Sequence, residues 1–130
     1  MSDPRTLVIT GANGWLGRAL LARVLSPTAG LEYQHVVAVA RDYAEGRALQ
    51  TFLPGLGSRD VSLRFTDLAA PVEHDHLFSD IRGEIDIVHT AGVIHPRRLR
   101  DFELVNSDGT RRLAAAARRA EVRRMVHVSS

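Results

Sequence analysis

Three glycines stand three apart, Gly11, Gly14 and Gly17, in the stretch "VITGANGWLGRAL" from Val8 to Leu20. They come directly after an apolar run and at the start of a helix-like pattern. Glycine is a poor former of both helix and strand, so glycines at such a junction mark a backbone that must turn tightly or be approached closely. A bend free of side chains that feeds a helix also bares N–H groups at the positive end of the helix dipole. That arrangement favours an anion. The plainer alternative is a glycine-rich turn that binds nothing.

The rest of the chain repeats the same alternation. Thr6 to Thr10, Val36 to Ala40, Val61 to Phe65, Ile85 to Thr90 and Met125 to Ser129 read as five strands. Three of them are apolar almost throughout, as strands buried on both faces of a parallel sheet are. Helix-like segments lie between them: Trp15 to Leu25, Tyr43 to Phe52, Glu73 to Ile81, and a long one from about Leu99 to Ala120. The last carries "RRLAAAARRA", in which alanine and arginine both favour helix. Turn-rich breaks fall at Pro54 to Asp60 and Arg82 to Asp86. Strict alternation implies right-handed crossovers and a doubly wound parallel α/β sheet.

Composition narrows the partners. A chain of 130 residues, 45% hydrophobic and 25% charged, is expected to form one globular domain. Its net charge of +2 gives no argument for nucleic acid, although all seventeen of its cations are arginine. Nine of those arginines, among them Arg97, Arg98, Arg111, Arg118 and Arg119, gather around the long helix. With no interleaved aromatic platform they read as a solvated face or an assembly surface, and no nucleic-acid partner is expected. There is no cysteine, hence neither disulfide nor thiolate metal site. "EHDH", Glu73 to His76, reads as solvated surface and not as a metal site, because two histidines two apart on a helix diverge. The start lacks the regions of a signal peptide and no run is of membrane-spanning length, so a cytoplasmic location with no membrane partner is expected.

A strand that ends in T-G-x-x-G-x-x-G and opens a helix is the dinucleotide fingerprint. Gly11 would make the tight turn, Gly14 would let backbone N–H groups reach a pyrophosphate, and Gly17 would let the helix lie close on the strand. Together with "FTDL" (Phe65–Leu68), "DIVHTAGV" (Asp86–Val93), "VNSDGTRRL" (Val105–Leu113) and "RMVHVSS" (Arg124–Ser130), the motif resembles the extended short-chain dehydrogenase/reductases, in their NAD(P)-dependent epimerase/dehydratase branch. The resemblance implies a Rossmann-type sheet of five strands in the order 3-2-1-4-5, cut off after the fifth strand. On that view residues 1–130 are a nucleotide-binding domain incomplete at its C-terminal end, with the substrate lobe absent.

By the same resemblance, Gly11, Asn13, Gly14, Trp15, Leu16 and Gly17 form the pyrophosphate loop. Asp67 and Leu68 hold and cover the adenine, and Ala91, Gly92 and Val93 line the path to the nicotinamide ribose. Asn106 braces the loop after the fourth strand. Ser130 aligns with the family's catalytic serine, beside Ser129. Each has a plainer version: Asp67 as the cap of a turn, Asn106 as an ordinary helix residue, the serines as a strand end.

An NAD-binding fold usually offers a carboxylate about 20 residues past the glycines, for the ribose 2′-hydroxyl. Here Arg41 reaches that place first, with Asp42 behind it. A guanidinium pairs with a 2′-phosphate where a carboxylate repels it, so NADP is expected ahead of NAD. Arg18 is a candidate second phosphate contact, or a solvated arginine. His95, before a proline, reads as a loop histidine.

Family chemistry is hydride transfer at a carbon bearing a hydroxyl, using a tyrosine with a lysine four positions on. The only tyrosines are Tyr33 and Tyr43, and there is no lysine. The chain therefore reads as the NADP-binding part of an oxidoreductase or epimerase acting on a sugar nucleotide or another secondary alcohol or ketone. A small-molecule substrate would be met only in a complete chain. The alternative is a non-catalytic or regulatory NAD(P)-binding module. A homodimer through the long helix Leu99–Ala120 is implied by the family. A chain ending at Ser130 is further expected to leave its fifth strand as an unpaired edge and to self-associate.

Overall fold

In the computed structural model, residues 4–26, 30–31, 33–53, 60–92 and 98–128 are described. Five strands, β1 (Arg5–Thr10), β2 (His35–Ala40), β3 (Val61–Phe65), β4 (Glu84–His89) and β5 (Arg124–His127), form one sheet in the order β3-β2-β1-β4-β5. Every pairing is parallel. The helices α1 (Trp15–Val24), α2 (Tyr43–Phe52) and α3 (Thr110–Arg119) cover its faces. The strand order and the alternation are those expected from the sequence.

The period of two along each strand divides the core in half. Leu7 and Ile9 of β1, with Val36 and Ala38 of β2, share a cluster with Leu21 of α1 and Leu49 of α2. Val8, Val37, Val39, Ile85 and Ile87 point the other way and pack with Leu113, Ala116 and Ala117 of α3. Ile9, Leu21, Leu49, Ile87 and Leu113 are fully buried, each contributing roughly 1.5–3 kcal/mol by leaving water. Because β1 and β2 bury both faces, they carry no polar alternation, which is how they are recognised in the sequence.

At the end of the sheet where β1 begins, charge closes the edge. Arg123 donates to both oxygens of Asp86 at 2.9 and 2.5 Å, and Tyr33 Oη–H donates to Asp86 Oδ2 at 2.7 Å. Arg5 and Arg123 share Glu84 at 2.9 and 3.3 Å. Asp86 is buried, and these partners hold its carboxyl below the usual carboxylate range, Arg123 foremost.

Two expectations are corrected. The helix read over residues 73–81 is a single 3₁₀ turn, Asp75–Leu77. His74, Leu77 and Phe78 are buried at the i, i+3, i+4 spacing that suggested a helix, yet side chains take the backbone carbonyl of His76 instead. Arg64 donates to the His76 carbonyl at 2.9 Å, Ser79 does so at 3.0 Å, and Asp80 adopts a left-handed φ of 61°. His74 is accordingly interior, not solvated surface. The long helix does form, but residues Phe102–Gly109 wind as a π-helix before α3 takes over. β5 lies at the edge of the sheet, with Val126 48% and Val128 42% exposed. Among the described residues no helix is long and apolar enough to cross a membrane, and no group of metal-ligating side chains converges.

Candidate functional site

The three glycines do three different jobs. Gly11 turns the chain out of β1 with φ +62°, and a Cβ there would stand 2.6 Å from the Ala91 nitrogen. Gly17, buried in α1, would place a Cβ 2.1 Å from the Gly11 carbonyl oxygen and 2.7 Å from the Ala12 Cα. Both positions are closed to any side chain by the protein's own backbone. Gly14 is not. It caps α1 with φ −71° and ψ 166°, which any residue adopts, and an added Cβ would meet only the Gly11 oxygen, at 3.3 Å. The protein's own demand for glycine at 14 is therefore far weaker: a shift of a few tenths of an ångström would admit a methyl.

A crevice of about 900 Å³ opens over the C-terminal ends of the strands, where β1 is flanked by β2 and β4. Gly11, Asn13 and Gly14 line it after β1, and Val39 to Asp42 with Glu45 after β2. Thr66 to Ala69 line it after β3, Thr90 to Gly92 after β4, and Asp101 and Val105 close the far side. α1 starts at this crevice with no acidic residue in its first turn and no side-chain cap, so its positive end is uncompensated.

Threonines stitch the loop together. Thr10 Oγ1 accepts the N–H of Thr90 at 3.1 Å and of Ala91 at 3.3 Å, while Thr90 Oγ1 donates to the Thr10 carbonyl at 2.6 Å. The ends of β1 and β4 are thereby fixed at the point where strand order reverses. Arg18 is not among the residues that line the crevice: it donates to Asn13 Oδ1 at 2.6 Å and lies 4.9 Å over the Phe52 ring, and so holds the loop.

Of the residues singled out from sequence, Gly11, Asn13, Gly14, Arg41, Asp67, Leu68, Ala91 and Gly92 come together around the crevice. Trp15 and Leu16 do not line it with their side chains, and Trp15 is 79% exposed. Gly17 does not line it either, being buried in α1 against Gly11 and Ala12. Asp67 Oδ1 accepts the Ala69 N–H at 2.9 Å, so it caps a turn and faces the crevice at once. Asn106, on the π-wound segment, has Oδ1 3.2 Å from where a Cβ on Gly92 would stand, so a side chain at 92 would press on Asn106. Val93, His95, Ser129 and Ser130 lie outside the described residues.

Several crevice residues went unread in the sequence: Glu45, Thr66, Thr90, Asp101 and Val105. So did two interior histidines. His89 ends β4 fully buried, bonded to Thr10 Oγ1 at 2.6 Å and Thr110 Oγ1 at 2.9 Å, and stacked 5.1 Å from His127. Since Thr10 Oγ1 already accepts two backbone N–H groups, its hydroxyl proton goes to His89 Nδ1, and Nε2–H goes to Thr110. Burial, with His127 nearby, pushes the imidazole down to about 4. His74 is also fully buried, bonded through Nδ1 to Thr66 Oγ1 at 2.6 Å. A histidine directly after the apolar pair Ile87–Val88, near the end of the strand read as "IDIVHT", was the available signal for His89.

Comparison with known proteins agrees with this architecture. The chain is 36% identical over 123 residues to a ceramide reductase of Caulobacter vibrioides, covering 94% of this chain and 34% of that protein. It is 37% identical over 133 residues to a UDP-glucose 4-epimerase of Mycolicibacterium smegmatis, covering 97% and 38%. The chain thus spans a little over a third of the length of the curated relatives it matches. The fold is shared with the dTDP-glucose 4,6-dehydratase DesIV of Streptomyces venezuelae, solved with NAD and DAU bound, at a TM-score of 0.72 and 24% identity over 95% of this chain and 39% of that one. Residues 7–130 match the NAD dependent epimerase/dehydratase family, and the chain belongs to that family.

Proposed function

We propose that this chain is the NADP-binding part of an oxidoreductase or epimerase that transfers hydride at a secondary alcohol or ketone, of a sugar nucleotide or a similar substrate. The observation that carries the reading is Gly14: glycine stands at the mouth of a helix where a side chain would press on one protein atom only, at 3.3 Å, and otherwise face the crevice. A ligand that lies against the backbone supplies the missing reason, and the uncompensated α1 terminus makes that ligand an anion. A pyrophosphate fits both. The nicotinamide coenzyme supplies the hydride chemistry when bound. This chain's own part is to place it.

Backbone N–H groups between Asn13 and Gly17, apart from that of Gly14, which already donates to the Gly11 carbonyl at 3.0 Å, meet the phosphates, and Asp67 and Leu68 hold the adenine end. Arg41 faces the 2′-phosphate, which favours NADP over NAD. Ala91, Gly92 and Val93 lead to the nicotinamide ribose, with Asn106 bracing that loop, and Ser130, beside Ser129, polarises the reacting oxygen. Relatives that are a ceramide reductase and a UDP-glucose 4-epimerase support both reduction and epimerisation as family chemistries open to the complete protein. The test is titration with NADP and NAD before and after Arg41→Asp. Saturable binding with preference for NADP, reversed by the substitution, supports the reading; equal affinities before and after remove Arg41 from the site.

A further inference from the structure

Arg41 does not meet the crevice as a bare cation. Asp42 caps α2, its Oδ1 accepting the Glu45 N–H at 3.0 Å, and its Oδ2 lies 3.4 Å from Arg41 Nε. Glu45, one turn into α2, accepts the Arg41 backbone N–H on Oε2 at 2.8 Å and stands 3.6 Å from Arg41 Nη2 through Oε1. All three residues line the crevice. One guanidinium among two carboxylates leaves this corner net negative. Glu45 is the more enclosed of the two acids, its side chain 31% exposed against 49% for Asp42, and its backbone bond fixes it in place.

We propose that Glu45 sets the coenzyme preference of this site: it draws the Arg41 guanidinium towards α2 and places a carboxylate beside the position of the ribose 2′-substituent. The inference rests on the reading of the crevice as a dinucleotide site with its ribose at Arg41. A 2′-hydroxyl finds an acceptor there. A 2′-phosphate finds a cation already engaged and a like charge next to it. Each effect offsets part of the attraction of Arg41 for phosphate, so the preference for NADP that Arg41 gives is held to a small margin. Glu45 is a positioning and charge residue, since it acts largely through Arg41.

Glu45→Gln separates these effects, because glutamine keeps an acceptor for the Arg41 N–H and the same shape while removing the charge. Calorimetric titration of the full-length protein is expected to give a preference for NADP of less than about tenfold for the parent protein. In Glu45→Gln, NADP should tighten by about 5- to 20-fold while NAD changes by less than about twofold, with no change in Tm. A structural role for Glu45 would instead lower Tm and weaken both coenzymes alike, and that result overturns the proposal. So does an unchanged ratio, or NADP binding that weakens in Glu45→Gln. Arg41→Ser distinguishes the two levels. If it abolishes NADP preference while Glu45→Gln does nothing, only the role of Glu45 falls; if it leaves NADP binding untouched, the ribose is not at Arg41 and both fall.

Discussion

Gly14 and Gly17 make opposite predictions when each is changed to alanine. At Gly17 the new methyl would stand 2.1 Å from the Gly11 carbonyl oxygen, against an ordinary contact distance of about 3.4 Å, so α1 must move off the bend by more than about 1 Å. Overpacking of that kind costs about 3 kcal/mol or more, only partly offset by the ~0.5–1 kcal/mol that alanine gains over glycine inside a helix. For a domain of this size the net loss lowers Tm by roughly 10 °C. At Gly14 the backbone is already in a region alanine prefers and the methyl meets one atom at 3.3 Å. A helix cap loses a few tenths to ~1 kcal/mol on going from glycine to alanine, and the stiffer unfolded chain returns ~0.4–1 kcal/mol. Stability should therefore be unchanged to within about 1 kcal/mol. Coenzyme binding should fall by about 30- to 100-fold, since a methyl would hold the pyrophosphate off its N–H donors. Thermal melts and coenzyme titrations on the two variants read both quantities. The reasoning is refuted if Gly14→Ala binds coenzyme within about threefold of the parent, or if Gly17→Ala melts unchanged.

Other consequences concern the scaffold. Asp86→Asn keeps the shape but removes the charge that Arg123 and Tyr33 engage, and should cost about 1–3 kcal/mol in denaturant melts; a loss below about 0.5 kcal/mol would show that the network adds nothing. His89 is held neutral by burial with a folded value of about 4, so the unfolded chain takes up its proton first on acidification. Its contribution is complete above about pH 6.5 and is lost as the pH falls towards 4, by about 1.4 kcal/mol per pH unit at most, or roughly 3 kcal/mol in all. His89→Gln should flatten that part of the stability profile, and an unchanged slope between pH 6.5 and 4 would contradict the assignment. Asp86 adds a separate loss at lower pH, because a carboxyl held below its usual range stabilises the fold above about pH 4 and ceases to as it protonates.

The sheet was legible because its strands announce themselves twice, by apolar runs and by the breaks between them. β2, β3 and α2 begin and end within a residue of where "VVAVA", "VSLRF" and "YAEGRALQTF" place them. The failure at residues 73–81 has a definite cause: His74, Leu77 and Phe78 share helical spacing, but spacing reports which residues are buried, not what the backbone bonds to. There Arg64, Ser79 and Arg119, whose guanidinium grips Asp75 at 2.8 and 2.9 Å, decide the path of the chain. The π-wound turn of residues 102–109 was equally hidden, since no residue type demands it. Around the crevice, Gly11, Gly14, Arg41 and Asp67 were readable from order along the chain. Glu45, Thr90 and Asp101 were not, because only the fold brings them to the same place.

The central claim is that the bend from Gly11 to Gly17 cradles the linked phosphates of a dinucleotide. Backbone amide NMR during titration with NADP and with NAD tests it most directly. The account predicts saturable shifts greatest at Asn13 to Gly17, with smaller ones at Asp67 to Ala69 and at Ala91 and Gly92. A folded sample whose amides at those positions stay unmoved by either coenzyme, or whose shifts gather elsewhere, would contradict it.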